Sequence, residues 1–258
     1  MTNVRMKIAY DGQKYKGWQR LSDEDDTIQG KIEGCLQRFF NTPIEIIGAS
    51  RTDSGVHALG QIANFCVPEG LLKKTFGTTQ NLENQLRDAF NKHLPEDIRI
   101  LEVDFVNERF HSRFHCVNKT YHYHLSTAVV MNPLLRRTCV HTGKLNIEKM
   151  RDASQHLLGT HDFTTFTNVK AKKKSMVRQL EAIEFLEENQ QLTVAFTGNG
   201  FLHHMVRRIM GTLIEVGLAE RAPLDVKNML EQKERQRVTY VAPAQGLCLM
   251  AISFGKLT

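Results

Sequence analysis

An α+β fold built as two similar halves is predicted by three observations. Segments of period-two hydrophobicity alternate with segments of helical period. The strands come at hairpin-like spacing, which points to antiparallel pairing. The same mixture then recurs after residues 105–112. No Gly/Ser-rich linker marks that change, so the halves, 1–108 and 109–258, are expected to share a continuous sheet or a tight interface. A chain of 258 residues is long enough to bury a real core in one large domain or two small ones.

The elements follow in order. VRMKIAY (4–10) alternates Val4, Met6, Ile8 and Tyr10 as a half-buried strand does. DTIQGKIEGCLQRFF places Ile28, Ile32, Cys35, Leu36, Phe39 and Phe40 on one helical face, with Asp26 or Thr27 as N-cap. IEIIG (44–48) reads as a strand, and QIANFCV (61–67) as another. NLENQLRDAFNKH (81–93) is a helix closed by Pro95, and DIRILEVDFV (97–106) a strand. In the second half, FHCVNKTYHYHLST (114–127) is a strand with Tyr121 and Tyr123 on one face and His122 and His124 on the other. NIEKMRDASQHLL (146–158) is a helix capped by Asn146. MVRQLEAIEFLEE and QLTVAFTG form a hairpin. FLHHMVRRIMGTLIEVG (201–217) and APLDVKNMLEQK (222–233) are helices, and GLCLMAISF (246–254) is the closing strand.

Hydrophobic residues at 41% and charged residues at 24% fit a soluble globular protein. No apolar run reaches the roughly 20 residues of a membrane helix, and the N-terminus lacks a signal peptide's apolar core. A cytoplasmic protein is expected. The five cysteines, Cys35, Cys66, Cys116, Cys139 and Cys248, are scattered without a C-x-x-C, so buried free thiols are expected rather than disulfides or a zinc site. Lys plus Arg is 34 and Asp plus Glu 28, a net +6, unevenly placed. SDEDD (22–26) is acidic and KAKKKSMVR (170–178) basic; the basic run suits a polyanion such as nucleic acid, or a solvated loop.

One stretch carries chemistry-bearing residues with no strand or helix period: GASRTDSGVHALGQIANF (48–65). Asp53 follows a strand and precedes Gly55, a layout that lifts a side chain into a cleft but also suits an Asx turn. Arg51, two residues earlier, is placed to pair with Asp53 and keep it ionised. His57 fits a hydrogen-bonded structural role as well as a catalytic one. His203 and His204 are adjacent on a predicted helix, about 100° apart, and make a poor metal pair. No nucleotide-binding glycine loop, serine-hydrolase motif or zinc helix motif occurs. Trp18, among Lys14, Lys16 and Arg20, and Tyr121, near Lys119, mix rings with cations as RNA-binding surfaces do.

RTDSGVHALGQIANF resembles the RTDAGVHA-x-GQV-x-x-F signature of the TruA family of tRNA pseudouridine synthases. YDGQKYKGWQR, TIQGKIEGCL, FNKHLPEDIRI, FHSRFHCVNKTYHY, HDFTTF, KSMVRQL, FLHHMVRRIMGTLIEVG and GLCL match further family segments in order, over nearly the whole chain. Ser54 stands where the family usually has Ala, and Ser50 where Gly is common.

The resemblance implies two α/β subdomains on an extended, mainly antiparallel sheet with flanking helices. It implies conversion of uridine to pseudouridine at positions 38–40 of the tRNA anticodon stem-loop, by a homodimer that uses neither cofactor nor metal. Asp53 would be the essential carboxylate, and Arg51 its partner, helping to fill the space of the flipped nucleotide. Tyr121 would stack on the uracil and take the C5 proton. Leu247 would close the pocket and Arg207 support it. Lys170, Lys172, Lys173, Lys174 and Arg178 are candidates for phosphate contacts. The alternatives are the same chemistry on another RNA such as rRNA, a non-catalytic RNA-binding protein on this scaffold, and, more remotely, a metal-dependent hydrolase.

Overall fold

Alternation of buried Val4, Met6, Ile8 and Tyr10 builds β1 (Thr2–Tyr10), the strand around which the first part of the chain is organised. The computed structural model describes residues 1–21, 26–77, 81–169 and 175–255. β1 pairs antiparallel with β3 (His57–Val67) on one side and β4 (Ile98–Val106) on the other. β2 (Ile47–Gly48) and β10 (Leu247–Phe254) also pair with β3, giving the path β4-β1-β3-β10. Helices α1 (Ile28–Phe40), α2 (Glu69–Phe76) and α3 (Leu82–His93) bring Phe40, Phe76 and Phe90 together, and Phe40 and Phe90 meet Phe65 of β3. The Thr27 hydroxyl caps α1 by accepting from Gly30 N at 3.1 Å, as the sequence predicts.

The second unit has the order β5 (Cys116–Ser126), β9 (Gln191–Gly198), β8 (Val177–Glu188) and β7 (Gly159–Asp162), all antiparallel. β6 (Val140–His141) runs parallel to β5. The β8–β9 hairpin turns through Asn189 and Gln190 at φ 48° and 61°, the left-handed pair that a two-residue hairpin turn needs. Helices α4 (Ile147–Gln155), α5 (Met205–Gly217) and α6 (Pro223–Gln232) pack together, α5 being buried almost all round. The two compact units are Met1–Val117 with the chain from Leu249 on, and Asn118–Cys248.

Several elements differ from their sequence reading. Of IEIIG only Ile47 and Gly48 pair in a sheet; one residue earlier, the Glu33 carboxylate accepts from Ile46 N at 3.0 Å in place of a strand partner. α2, β6 and β7 are too short to have a period of their own. α5 begins at Met205 rather than Phe201, because His204 sits at φ 62°, outside helical geometry. Cys35, Cys139 and Cys248 are buried as expected, and burial pushes the Cys35 and Cys139 thiols up to about 11. Cys66, by contrast, is exposed, because it points outward from β3.

At Gly60, β3 touches the β10 backbone so closely that a Cβ would lie 2.1 Å from the Met250 carbonyl oxygen. Gly60→Ala should therefore lower the urea midpoint, by about 1–3 kcal/mol of stability, as overpacking does. Gly34→Ala on α1, where a Cβ meets nothing within 4 Å, should raise it by about 0.5–1 kcal/mol. Equilibrium urea unfolding of the two variants beside the parent is the check.

Candidate active site

The segment between β2 and β3 has almost no sheet partners of its own, so side chains and a neighbouring turn hold it. Ala49 N donates to Ile62 O at 2.8 Å. Gln61, fully buried, grips Ser50 at both ends: its Nε2 donates to Ser50 O at 2.7 Å, and its Oε1 accepts from Ser50 N at 3.2 Å. The Tyr10 and Thr52 hydroxyls lie 2.8 Å apart. Trp18 N donates to Thr52 O at 3.1 Å, and the Ser54 hydroxyl donates to Tyr15 O at 3.0 Å. Val56 N then returns to Asp53 O at 3.2 Å and closes the turn.

Three of these contacts come from Tyr10 and the turn that follows it, DGQKYKGW, and glycine is what lets the two backbones meet. A Cβ on Gly12 would lie 1.9 Å from Val56 O. Gly17 has φ +100°, and a Cβ there would lie 2.8 Å from Thr52 O and 3.2 Å from the Asp53 carbonyl carbon. The loop is thus held at Ser50 by Gln61 and from Thr52 to Val56 by the 10–18 turn, while the Asp53 side chain stays half-exposed. A carboxylate so presented is positioned without its own conformational search, which is what a reacting group needs.

Two expectations for this region change, those for Trp18 and for the Arg51–Asp53 pair, while the structural role expected of His57 is the one found. Trp18 is no stacking surface: it is buried, with its ring against Gly48, where a Cβ would sit 2.5 Å from the indole nitrogen. His57 is buried at the turn, its Nδ1 3.2 Å from Gly12 N and 3.1 Å from Asp11 Oδ1, which gives it the structural role. The expected ion pair between Arg51 and Asp53 is not formed. Arg51 is exposed and bonds to no other described residue; an exposed pair would have added only about 0–1 kcal/mol. The charge next to Arg51 is Arg113, whose pKa is lowered by burial and by the Arg51 cation.

The other candidates lie in the second unit. Tyr121 is buried on β5 opposite Phe196, with its ring edge-on to Phe201 at 5.1 Å. Tyr123, two residues on, is a packing residue: its hydroxyl donates to Pro243 O at 2.7 Å, and burial raises its pKa well above the ordinary tyrosine value. Leu247 is buried at the start of β10. Arg207 Nε donates to Ala242 O at 2.8 Å, and Ala242 N returns to Arg207 O at 3.0 Å, so this arginine is tied to the 238–246 segment. Gly211 admits the same segment, since a Cβ there would lie 2.1 Å from Tyr240 O.

Lys170, Lys172, Lys173 and Lys174 lie outside the described residues. The segment leading to them is held by arginines that the sequence reading missed. Arg208 Nη1 donates to Asn168 Oδ1 at 2.8 Å, and Arg235 donates to Thr167 O at 3.1 Å and Val169 O at 2.7 Å. Beyond it, the Arg178 guanidinium donates to Ser175 O and Val177 O. His203 and His204 do not diverge as they would on a helix: with His204 left-handed, their ring centroids come to 3.9 Å.

The family model described as tRNA pseudouridine synthase matches residues 6–115 and 153–255. The chain belongs to that family. It is 44% identical over 255 residues to tRNA pseudouridine synthase A 2 of Bacillus cereus (strain ZK / E33L), covering 98% of this chain and 100% of the relative. It is 43% identical to tRNA pseudouridine synthase A of Bacillus sp. (strain KSM-64), with the same coverage. With tRNA pseudouridine synthase A 2 of Clostridium tetani it shares 41% over 254 residues, 98% of each chain. A chain in a solved Cbf5–Nop10–Gar1 complex aligns with 81% of this one and 54% of its own length, at a TM-score of 0.33 and 11% identity, too distant to bear on the fold or the site. The family match includes the whole Asp53 loop and the turn that clamps it.

If the clamp positions Asp53, Gly17→Ala should damage activity more than stability. The Cβ clash and the positive φ both push on the Thr52–Asp53 peptide. We expect uridine-to-pseudouridine turnover to fall at least about 100-fold, the scale of a 1 Å misplacement, while the thermal midpoint shows that the fold persists. Turnover at the parental level would show that the loop position is not set by this contact.

Proposed function

We propose that this protein converts uridine to pseudouridine in tRNA, with Asp53 as the essential group. The observation that carries the proposal is the presentation of Asp53 on a doubly clamped loop, within a sequence match that spans 98% of the chain. The reaction breaks the N1–C1′ bond, turns the base and forms the C5–C1′ bond; the C5 proton is lost and N1 gains one. It is an isomerisation with no net redox change, so the chain's own acids and bases suffice. An ionised carboxylate at the sugar–base junction serves whether it attacks C1′, attacks C6 or removes the 2′ proton.

In this reading Tyr121 stacks on the uracil and its hydroxyl takes the C5 proton, Leu247 closes the pocket, and Arg207 supports it. Arg51, unpaired with Asp53, is available to occupy the space left by the flipped nucleotide, and flipping costs a few kcal/mol. The lysines of the 170–174 run, with Arg178, would offset that cost through phosphate contacts. The substrate would be the anticodon stem-loop at positions 38–40, and the enzyme a cytoplasmic homodimer. No helix among the described residues is long and apolar enough to cross a membrane.

Asp53→Asn should bind tRNA like the parent and form no pseudouridine, read by tritium release from C5-labelled tRNA. Appreciable turnover would remove Asp53 from the mechanism.

For Tyr121, the ring and the hydroxyl separate. Tyr121→Phe keeps the ring and should bind tRNA normally but turn over about 10²–10⁴-fold more slowly, the usual size of a general-base contribution. Tyr121→Leu should be impaired at least as much. Full activity in both would make Tyr121 a packing residue. Tyr123→Phe gives up the bond to Pro243 O and should cost about 1 kcal/mol of stability with turnover retained.

A further inference from the structure

The segment Asn107–His115 joins β4 to β5 and carries a side chain that packing alone does not explain. Phe114 is 76% exposed, although its backbone is tightly held. Three buried polar residues fix the segment's base. Asn64 Nδ2 donates to Asn3 Oδ1 at 2.9 Å, Asn3 Nδ2 donates to Phe110 O at 2.9 Å, and Ser112 donates to Asn64 Oδ1 from its N at 3.0 Å and from its hydroxyl at 2.7 Å. Phe110 is anchored against Phe254, ring centroids 5.1 Å apart.

The tip is built by His111. Its Nδ1 accepts from Arg113 N at 3.2 Å and from Phe114 N at 3.3 Å, so it needs the neutral ring. Burial first, and then the Arg113 cation, lower its pKa and keep it neutral. The same geometry lays the Phe114 ring on the His111 imidazole, centroids 4.1 Å apart and planes 30° apart. One face of the Phe114 ring is thereby supported, and the residue is still largely exposed. Next to it, Arg113 is close enough to Arg51 for the two cations to repel, and neither guanidinium bonds to another described residue. Arg51 is two residues from Asp53.

A pre-oriented, solvent-facing ring beside two unneutralised arginines matches what unpaired RNA offers: bases to stack and phosphates to neutralise. We propose that Phe114 is a stacking platform for an unpaired base of the RNA substrate near the target uridine, and that Arg113 contacts a phosphate of the same strand. This rests on the tRNA reading above and adds positioning residues to it.

The test compares Phe114→Ala, Phe114→Leu, Phe114→Trp and Arg113→Ala with the parent. Binding is measured to tRNA and to a single-stranded uridine oligomer over a range of salt concentrations, with pseudouridine formation alongside. Phe114→Ala and Phe114→Leu should each weaken binding about 5- to 150-fold, the worth of one stacked base at about 1.4 kcal/mol per tenfold. Their salt slope should be unchanged, and KM should rise with kcat nearly constant. Phe114→Trp should restore binding. Arg113→Ala should make the slope of log affinity against log salt shallower by about 0.7–0.9.

Parental binding by Phe114→Ala would overturn the platform. So would parental binding by Phe114→Leu, which would show that apolar bulk rather than a ring is what matters. A Phe114→Ala protein that sediments as a smaller species and binds RNA as well as the parent would assign the ring to a contact between copies of the chain, and overturn the proposal too. If the parent itself makes no pseudouridine in tRNA, the functional reading fails separately, and the oligomer measurements still decide the platform.

Discussion

The organisation of the first unit depends on one approach of backbone to backbone: the turn after β1 laid against Thr52–Val56. Gly12 and Gly17 are the positions where no side chain fits, and Trp18, Tyr15 and Tyr10 supply bonds from the same turn. The turn is itself tied down, since Tyr15 donates its hydroxyl to Asp97 and Asp11 N donates to Asp97 O at 2.9 Å. A loop held through its carbonyls and amides keeps its conformation while its outward side chains are free to differ in charge and size. That separation lets Arg51 stand exposed and Asp53 half-exposed on a segment whose backbone is held at several points.

The same device recurs where backbone leaves the sheets. Gln61 grips Ser50, Asn64 organises residues 110–112, His111 ties the amides of residues 113 and 114, and Arg208 and Arg235 hold carbonyls at 165–169. In each case a buried or half-buried side chain takes over partners that secondary structure would otherwise supply. Orphaned backbone groups are costly, so irregular segments with this much support are built to hold a shape.

Most of the architecture was legible because hydrophobic period reports burial directly. β1, α1, α3, β4, β5, the β8–β9 hairpin, α6 and β10 are all found close to where period and capping place them. The short elements α2, β6 and β7 are not, since two helical turns or a strand of two to four residues give no stable period. The start of α5 was misplaced because a left-handed histidine has no sequence mark comparable to glycine. For the site, Asp53 was found by pattern. The missing Arg51–Asp53 bond could not be foreseen, because sequence spacing says nothing of where two flexible side chains point. Trp18 was misread because cations on either side of a ring look the same whether the ring is buried or open. Phe114 is the converse case: an aromatic in FHSRFH suggests core, and only its exposure shows otherwise.

The order in which the strands are synthesised differs from the order in which the first unit is assembled. β3 is complete by residue 67, yet its neighbour β10 is formed by residues 247–254, the last strand of the chain. On the ribosome, the edge of β3 beyond β2 must wait for nearly two hundred further residues before it is covered. Such a pairing is slow to form, because a long loop must close before any contact is gained. An uncovered strand edge is also where nascent chains stick to one another. Deletion of β10 would therefore be felt first as a failure of the N-terminal unit to reach its final state, far along the sequence from the lesion.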